Sequence, residues 1–222
     1  MLDYVPSKRT WDNSKLIRQF IGADTMTYNY SQSDQDIFVL SILDGLRNGT
    51  YLELGAQTPY FINNTALLAE QFGWTGISID KVAEYKPLWD NVGRKFIVGD
   101  ALKIDFSTVL KDMPKVIDYL SLDCDPSAIS YNILRRVPFD RYQFKVITFE
   151  HDAYTDNGLV KQVSRKYLQD KGYALLASIS TASGADYEDW YAHPDYVDSI
   201  TLEKHKADLN YSQRYSSYLY AE

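Results

Sequence analysis

Short apolar runs that end at an acid alternate along this chain with segments of helical periodicity. That alternation limits the fold more than any other feature. "SDQDIFVLSILDGLRNG" carries Ile37, Phe38, Leu40, Ile42, Leu43 and Leu46, which predicts an amphipathic helix stopped by Gly49. "TYLEL" follows as a strand, and "NNTALLAEQFG" as a helix that starts near Asn64 or Thr65 and stops at Gly73. Further strands are expected at "WTGISID", "KFIVGDA", "VIDYLSLD", "FKVITFE" and "YALLASIS". Helices are expected at "EYKPLWDNVGR", at "PSAISYNILRRV" with Pro126 in its first turn, and at "GLVKQVSRKYLQDKG". Strands separated by helices of about three turns pair in parallel, with helices on both faces. The expected fold is therefore a single-domain, doubly wound, mostly parallel α/β sheet. Residues 31–222 would form it, and residues 1–30 would pack on it as an N-terminal segment. A chain of 222 residues suffices for one such domain.

Ligands of doubly wound sheets bind outside the carboxyl ends of the strands. The first five strands each end at or close to an acid: Glu53, Asp80, Asp100, Asp123 and Glu150. One such acid is ordinary as a helix N-cap; five along one rim point to a ligand site. An acid after the second strand, here Asp80, is the group that accepts ribose hydroxyls in nucleotide-binding sheets.

The turn after the first strand reads Gly55-Ala56-Gln57-Thr58-Pro59. Dinucleotide sites bring the backbone against a pyrophosphate with G-x-G-x-x-G. Here the second and third glycines are missing, and Pro59 removes a donor and holds Thr58 extended. This turn does not suit a pyrophosphate. It leaves room for a smaller zwitterionic ligand that needs one close approach at Gly55, such as S-adenosylmethionine (SAM).

"SQSDQDIFVL", "YLELGAQTPYFINNTALLAEQFGWTGISID", "YLSLDCDPSAISYNIL", "FKVITFEHD" and "DYEDWYAHPDYV" come in the order found in the FkbM-type family of SAM-dependent methyltransferases, which this chain resembles over roughly residues 31 to 196. The resemblance implies a class I, Rossmann-like methyltransferase with SAM lying across the strand ends. By motif position it implies Glu53, Gly55 and Ala56 beside the methionine part of SAM and Asp80 on the ribose. Asp100 and Ala101 would lie by the adenine, and Asp123 under the sulfonium and amino group. Gln32 and Gln35 fall in an entry segment and could line the site. The chain departs from the family pattern at Thr58-Pro59 and at Asp125-Pro126, where the family favours a small residue and a Glu-Gly pair.

Methyl transfer to a hydroxyl needs in-line placement and a base within hydrogen-bond reach. His151, next after the fifth strand, and Asp123 are the two candidates. His193 is expected to pack, and His205, in "LEKHKAD", to be solvated. Asp123, Asp125, His151 and Asp152 could bind a divalent cation if their loops converge; the leading reading does not require one. Cys124 has no His or Lys beside it in sequence and is expected to be a structural thiol.

The leading expectation is O-methylation of a small-molecule or sugar-containing acceptor. A catalytically inactive SAM- or nucleotide-binding protein of the same fold is the alternative, motivated by the two departures. A nicotinamide-dependent oxidoreductase is disfavoured by the missing glycines. An interaction protein has only the Tyr-rich tail "YSQRYSSYLYAE" in its favour, which reads more readily as an aromatic-rich edge strand or a packed tail. A net charge of −7 without a Lys/Arg run argues against nucleic acid and anionic membranes. One cysteine, no signal-like apolar core in "MLDYVPSKRTWDNSK" and no apolar run of about 20 residues lead to the expectation of a cytoplasmic protein. A homo-oligomer is compatible with this reading.

Overall fold

The computed structural model describes residues 9–10, 13–26 and 28–221. Residues 1–8, 11, 12 and 27 of the expected N-terminal segment lie outside the described residues. A small antiparallel ribbon joins β1 (Arg9–Thr10) to β2 (Tyr28–Asn29). The main body then alternates α1 (Gln35–Ile42), β3 (Thr50–Leu54), α2 (Ala66–Phe72), β4 (Thr75–Asp80), α3 (Lys86–Val92), β5 (Phe96–Val98), α4 (Phe106–Val109), β6 (Val116–Leu122), α5 (Ser127–Leu134), β7 (Gln143–Glu150), α6 (Leu159–Asp170) and β8 (Ala174–Ser180). It closes with β9 (Asp186–Ala192), α7 (Ser199–His205), β10 (Gln213–Arg214) and α8 (Tyr215–Leu219).

The main sheet has the order β10-β8-β9-β7-β6-β3-β4-β5. Its neighbours pair in parallel except around β9, which runs antiparallel to both β7 and β8. The chain steps outward from β3 through β4 to β5, then returns to the other side of β3 with β6. Strand order therefore reverses between β3 and β6, which opens a crevice at their carboxyl ends.

Alternation along the strands divides the core in two. In β6, Tyr119 faces a cluster with Phe38, Val146 and Trp190, while Leu120 and Leu122 face one with Phe144, Phe149 and Leu168. Helix α6 meets the second cluster through Val160, Ser164 and Leu168, one turn apart. Leu16, Phe20, Ala23 and Met26, ahead of α1, join the first cluster.

Helix α1 differs from the amphipathic expectation: all eight of its residues are buried. The sheet covers one side, where Phe38 stacks on Trp190 at 4.5 Å, and the C-terminal Tyr218 lies 6.2 Å from Phe38. The helix also stops before Gly49. Asp44 takes φ +46° and the Gly45 N–H returns to the Leu40 carbonyl, closing the last turn. A Cβ on Gly45 would lie 1.9 Å from the Ile21 carbonyl, so the N-terminal segment dictates a glycine there. The Tyr-rich tail packs: Tyr218 and Leu219 are buried, and the Tyr220 hydroxyl donates to Asp34.

Leu120 is fully buried in central strand β6. Leu120→Ala is expected to cost about 2–5 kcal/mol, read from urea unfolding, and a loss under about 1 kcal/mol would contradict this packing.

Candidate functional site

Gly55 closes β3 at the crevice with φ +86°. A Cβ there would lie 1.6 Å from the Asp123 carbonyl and 3.1 Å from Cys124 Sγ, so the end of β6 itself requires glycine. The Gly55 and Ala56 N–H groups donate to the Ile79 carbonyl at 3.0 and 3.2 Å, and the Asp123 N–H donates to the Leu54 carbonyl at 3.0 Å. Three strand ends are thereby locked together.

The turn that follows is held by Asp80 at the crevice and by Trp89 and Arg94 beyond it. Gln57, at φ +47°, gives its N–H to Asp80 Oδ2 at 2.9 Å and accepts from the Trp89 indole at 2.8 Å. Arg94 Nη2 donates to the Pro59 carbonyl. The residues that replace the usual glycines thus anchor the turn to α3 and the loop after it.

A cavity of about 380 Å³ opens at the crevice, bounded by Gly55, Asp80, Asp100, Ala101, Asp123 and Cys124, with Leu102, Ile129 and Ile133 as apolar wall. Asp80 also accepts the Val82 N–H at 2.9 Å, so two backbone donors fix its carboxylate. Asp100 accepts the Leu102 N–H at 3.0 Å and pairs with Lys103 at 3.1 Å, and these hold its carboxyl below the usual range. Burial, with Asp123 and Asp80 nearby, pushes the Cys124 thiol well up, so it stays neutral, in keeping with a structural role.

Glu53 and Ala56 do not line the cavity. Glu53 is buried and accepts from Asn63 at 3.0 Å, Thr65 at 3.0 Å and Ser78 at 2.7 Å; burial nonetheless raises its carboxyl above the ordinary range. Thr65 precedes α2 but spends its hydroxyl on Glu53 rather than on a cap. Ala56 packs with Trp89 and Phe96.

A second layer of acids stands behind Asp123. Burial raises Asp123 and Glu150 together: their carboxyls lie within hydrogen-bond reach, and Asp152 adds like charge. A pair this close shares a proton at neutral pH. Glu188 accepts from Gln35 at 3.0 Å and from the Trp190 indole at 2.8 Å, and burial pushes it up to about 8. Carboxylate oxygens of Asp125, Glu150 and Asp152 lie within 4.8 Å of one another, a spacing that could hold a cation. Asp152 has φ +41°, a strained backbone at the rim.

His151 is placed differently from its neighbours. It is fully buried, does not line the cavity, and directs Nε2 to 3.5 Å from Asp189 Oδ1 and 3.8 Å from Asp186 Oδ1. Period-two alternation sends Glu150 to the face of the first cluster and His151 to the α6 face. There Arg165 grips Asp189 with Nε at 2.6 Å and Nη2 at 2.8 Å. Burial alone would raise Asp189; the Arg165 fork and His151 bring it well below the usual range. In this position His151 lies away from the residues that line the cavity and outside the group formed by Asp125, Glu150 and Asp152. Gln32 is exposed, and Gln35 is buried against Glu188. His193 packs between Tyr173 and Tyr196, as expected. His205, expected in solvent, is buried on α7 with Nδ1 2.8 Å from the Thr201 carbonyl, and burial pushes it down to about 4. Glu188 and Asp189 were not singled out from sequence, although the alternation in "DYEDWYA" sends them to opposite faces.

Because the folded chain holds protons on Asp123, Glu188 and Glu150 that the unfolded chain has released, stability should fall as pH rises from about 4 to about 11, with Glu150 carrying the last part of the fall. Glu150→Gln is expected to flatten that fall in urea unfolding across the pH series; an unchanged slope would refute the shared-proton cluster.

No protein-family model matches the sequence, the FkbM family included, and no curated protein matches it. Solved structures do match in fold. A SAM-dependent O-methyltransferase from Thermotoga maritima aligns with a TM-score of 0.51 at 15% identity, over 76% of this chain and 68% of that one. A chain of a fibrillarin/Nop5p complex aligns at 0.50 and 15%, over 76% and 86%. Human methyltransferase 10 domain-containing protein aligns at 0.50 and 11%, over 71% and 79%. The fold of this chain is the Rossmann-like fold of class I SAM-dependent methyltransferases.

Proposed function

We propose that this protein is a SAM-dependent methyltransferase that methylates a hydroxyl of a small-molecule or sugar-containing acceptor. The observation that carries the reading is the cavity at the strand-order reversal, where Asp80, Asp100 and Asp123 line one space beside Gly55. Its volume falls in the range of small-molecule sites. When bound, SAM would supply an electrophilic methyl on a sulfonium.

The chain's own groups suit that cofactor. Asp80, oriented by the Gln57 and Val82 N–H groups, keeps lone pairs for two ribose hydroxyls. Ala101, Leu102, Ile129 and Ile133 form an apolar slot for the adenine, with Asp100 at its edge. Asp123 offers negative charge to the sulfonium and ammonium. Glu53 takes a positioning role, since its three hydrogen bonds fix the strand end and turn.

Asp123, ionised while Glu150 keeps the proton already held by the pair, would take the acceptor's hydroxyl proton as the acceptor oxygen gains the methyl and the methyl's bond to the sulfonium sulfur breaks, leaving a neutral thioether. His151 is a positioning residue in this reading, tying the loop after β7 to Asp189. Phe61 and Tyr154, 46% and 61% exposed on the loops after β3 and β7, are flat surfaces on which a sugar ring could stack. The acids Asp125, Glu150 and Asp152 favour a neutral or cationic acceptor over a polyanion.

A catalytically silent SAM- or nucleotide-binding protein of the same fold is the second reading, favoured by the position of His151. Transfer of labelled methyl from SAM to any acceptor would exclude it.

Calorimetric titration with SAM and with its demethylated product tests the cofactor assignment. Binding is expected, weakened by about 1–3 kcal/mol in Asp80→Ala. Unchanged affinity in the variant would remove Asp80 from the ribose, and no binding by the folded protein would sink the reading.

A further inference from the structure

The cavity at the strand-order reversal draws its walls from the ends of β3, β4, β5 and β6 and from α5. The carboxyl edge continues past it onto β7, which lies parallel to β6. Glu150 and Asp152 stand there, beside Asp123 and Asp125 at the end of β6, and Glu188 lies opposite Glu150 in the β7–β9 pair. Five carboxyls thus gather next to the place assigned to SAM. None has an ion pair with Lys or Arg among the described residues.

Acids grouped at a surface need no ligand, but two of these are buried. Glu188 is 1% exposed and Asp152 is 7% exposed. Glu188 spends Oε2 on Gln35 and on the Trp190 indole, and its Oε1 meets no donor among the described residues. Asp152 is met only by the hydroxyl of Tyr154, itself a mostly exposed residue. None of these oxygens is sealed in without a partner, as the His151 nitrogens are, so a ligand can reach them.

A buried carboxylate without a donor is costly, and where the protein brings no cation the group that meets several at once is a ligand cation. A primary ammonium suits this one. It directs three N–H donors, and oxygens that each take one at about 2.9 Å stand about 4.7 Å apart around the tetrahedral nitrogen. Those of Asp125, Glu150 and Asp152 lie within 4.8 Å of one another. Glu150 can keep its proton toward Asp123 and still accept on its other oxygen. Tyr154 adds an aromatic face, which attracts an organic cation and gives the carbon skeleton beside it a surface.

We propose that the acceptor carries a primary ammonium seated on Asp125, Glu150 and Asp152; within the sugar-containing class this is an amino sugar. The proposal rests on the methyltransferase reading for the acceptor's role and adds its charge. The seated nitrogen is protonated and has no lone pair, so it anchors the sugar and is not itself methylated. A hydroxyl on the same ring, next to Asp123, takes the methyl. Its O–C bond forms as the methyl–sulfur bond breaks, its proton passes to Asp123, and the sulfonium becomes a neutral thioether.

The test is a titration of the full chain with glucosamine, glucose, N-acetylglucosamine and magnesium chloride at equal ionic strength, with the demethylated product of SAM titrated in parallel. Backbone signals are followed by NMR, and heat by calorimetry. Glucosamine is expected to bind saturably and to shift residues 125, 150, 152 and 154. Glucose and N-acetylglucosamine, which lack the charge, should bind roughly tenfold more weakly or worse, the loss of one charge-assisted contact. Asp152→Asn keeps the side-chain shape and tolerates the positive φ of this position, and it should weaken glucosamine by a similar factor. Asp125→Asn, at an exposed position, decides the matter if Asp152→Asn does not fold. No saturable glucosamine binding, glucose binding as tightly, unchanged affinity in both variants, or displacement of glucosamine by a lower concentration of magnesium would each overturn the proposal. Failure of the cofactor reading shows separately, as no binding of the demethylated product; the proposed acceptor would then fall with that reading, even with glucosamine bound.

Discussion

The carboxyl edge of the sheet depends on one buried carboxylate. Glu53 reaches Ser78 on the neighbouring strand, Asn63 in the loop and Thr65 at the start of α2. A buried carboxyl is costly unless its oxygens are met, and here three donors meet them. The positive charge of Arg94 further favours its ionised form. With those contacts made, the path from β3 into α2 has little freedom. Gly55 then meets the Asp123 carbonyl, Gln57 turns its N–H to Asp80, and the crevice takes its shape.

The two faces of the sheet divide the electrostatics. On the α6 face, Asp189 is matched by Arg165 and Asp186 by Lys161, so burial there is offset by opposite charge. On the α1 face, Glu188 is buried and Asp123 and Glu150 are partly buried, with no cation beside them among the described residues. Those carboxyls rise and hold protons instead of pairing. The first arrangement stiffens the packing of α6 on the sheet. The second leaves protonated and ionised carboxyls side by side at a cavity, a setting suited to moving a proton.

Much of this was legible in the sequence because it is local. Strand runs ending in acids put Asp80, Asp100 and Asp123 at one rim, and Gly73 marked the end of α2. What could not be read is contact between distant segments. Helix α1 is buried on all sides because Leu16 and Tyr218 come from the two ends of the chain to cover it. Glu53 stands one residue inside β3, not after it, and that single step takes its carboxylate from the rim into the interior. Trp89 and Arg94, which hold the unusual turn, lie over thirty residues from it in sequence. His151 was read by its nearness to the strand end. Its side of the strand decided its place, and charged neighbours likewise hid the inward face of α7 that buries His205.

The central claim is that a cofactor lies across the carboxyl ends of β3, β4, β5 and β6. Backbone hydrogen exchange, measured with and without the demethylated product of SAM, tests it most directly. The account predicts slowed exchange in residues 55, 57, 80–82, 100–102 and 123–125, which bound the first cavity. It predicts no change in residues 74–77 and 93–95, which bound a separate cavity over the start of β4. Protection confined to the second group, or none at the carboxyl edge under saturating ligand, would contradict it.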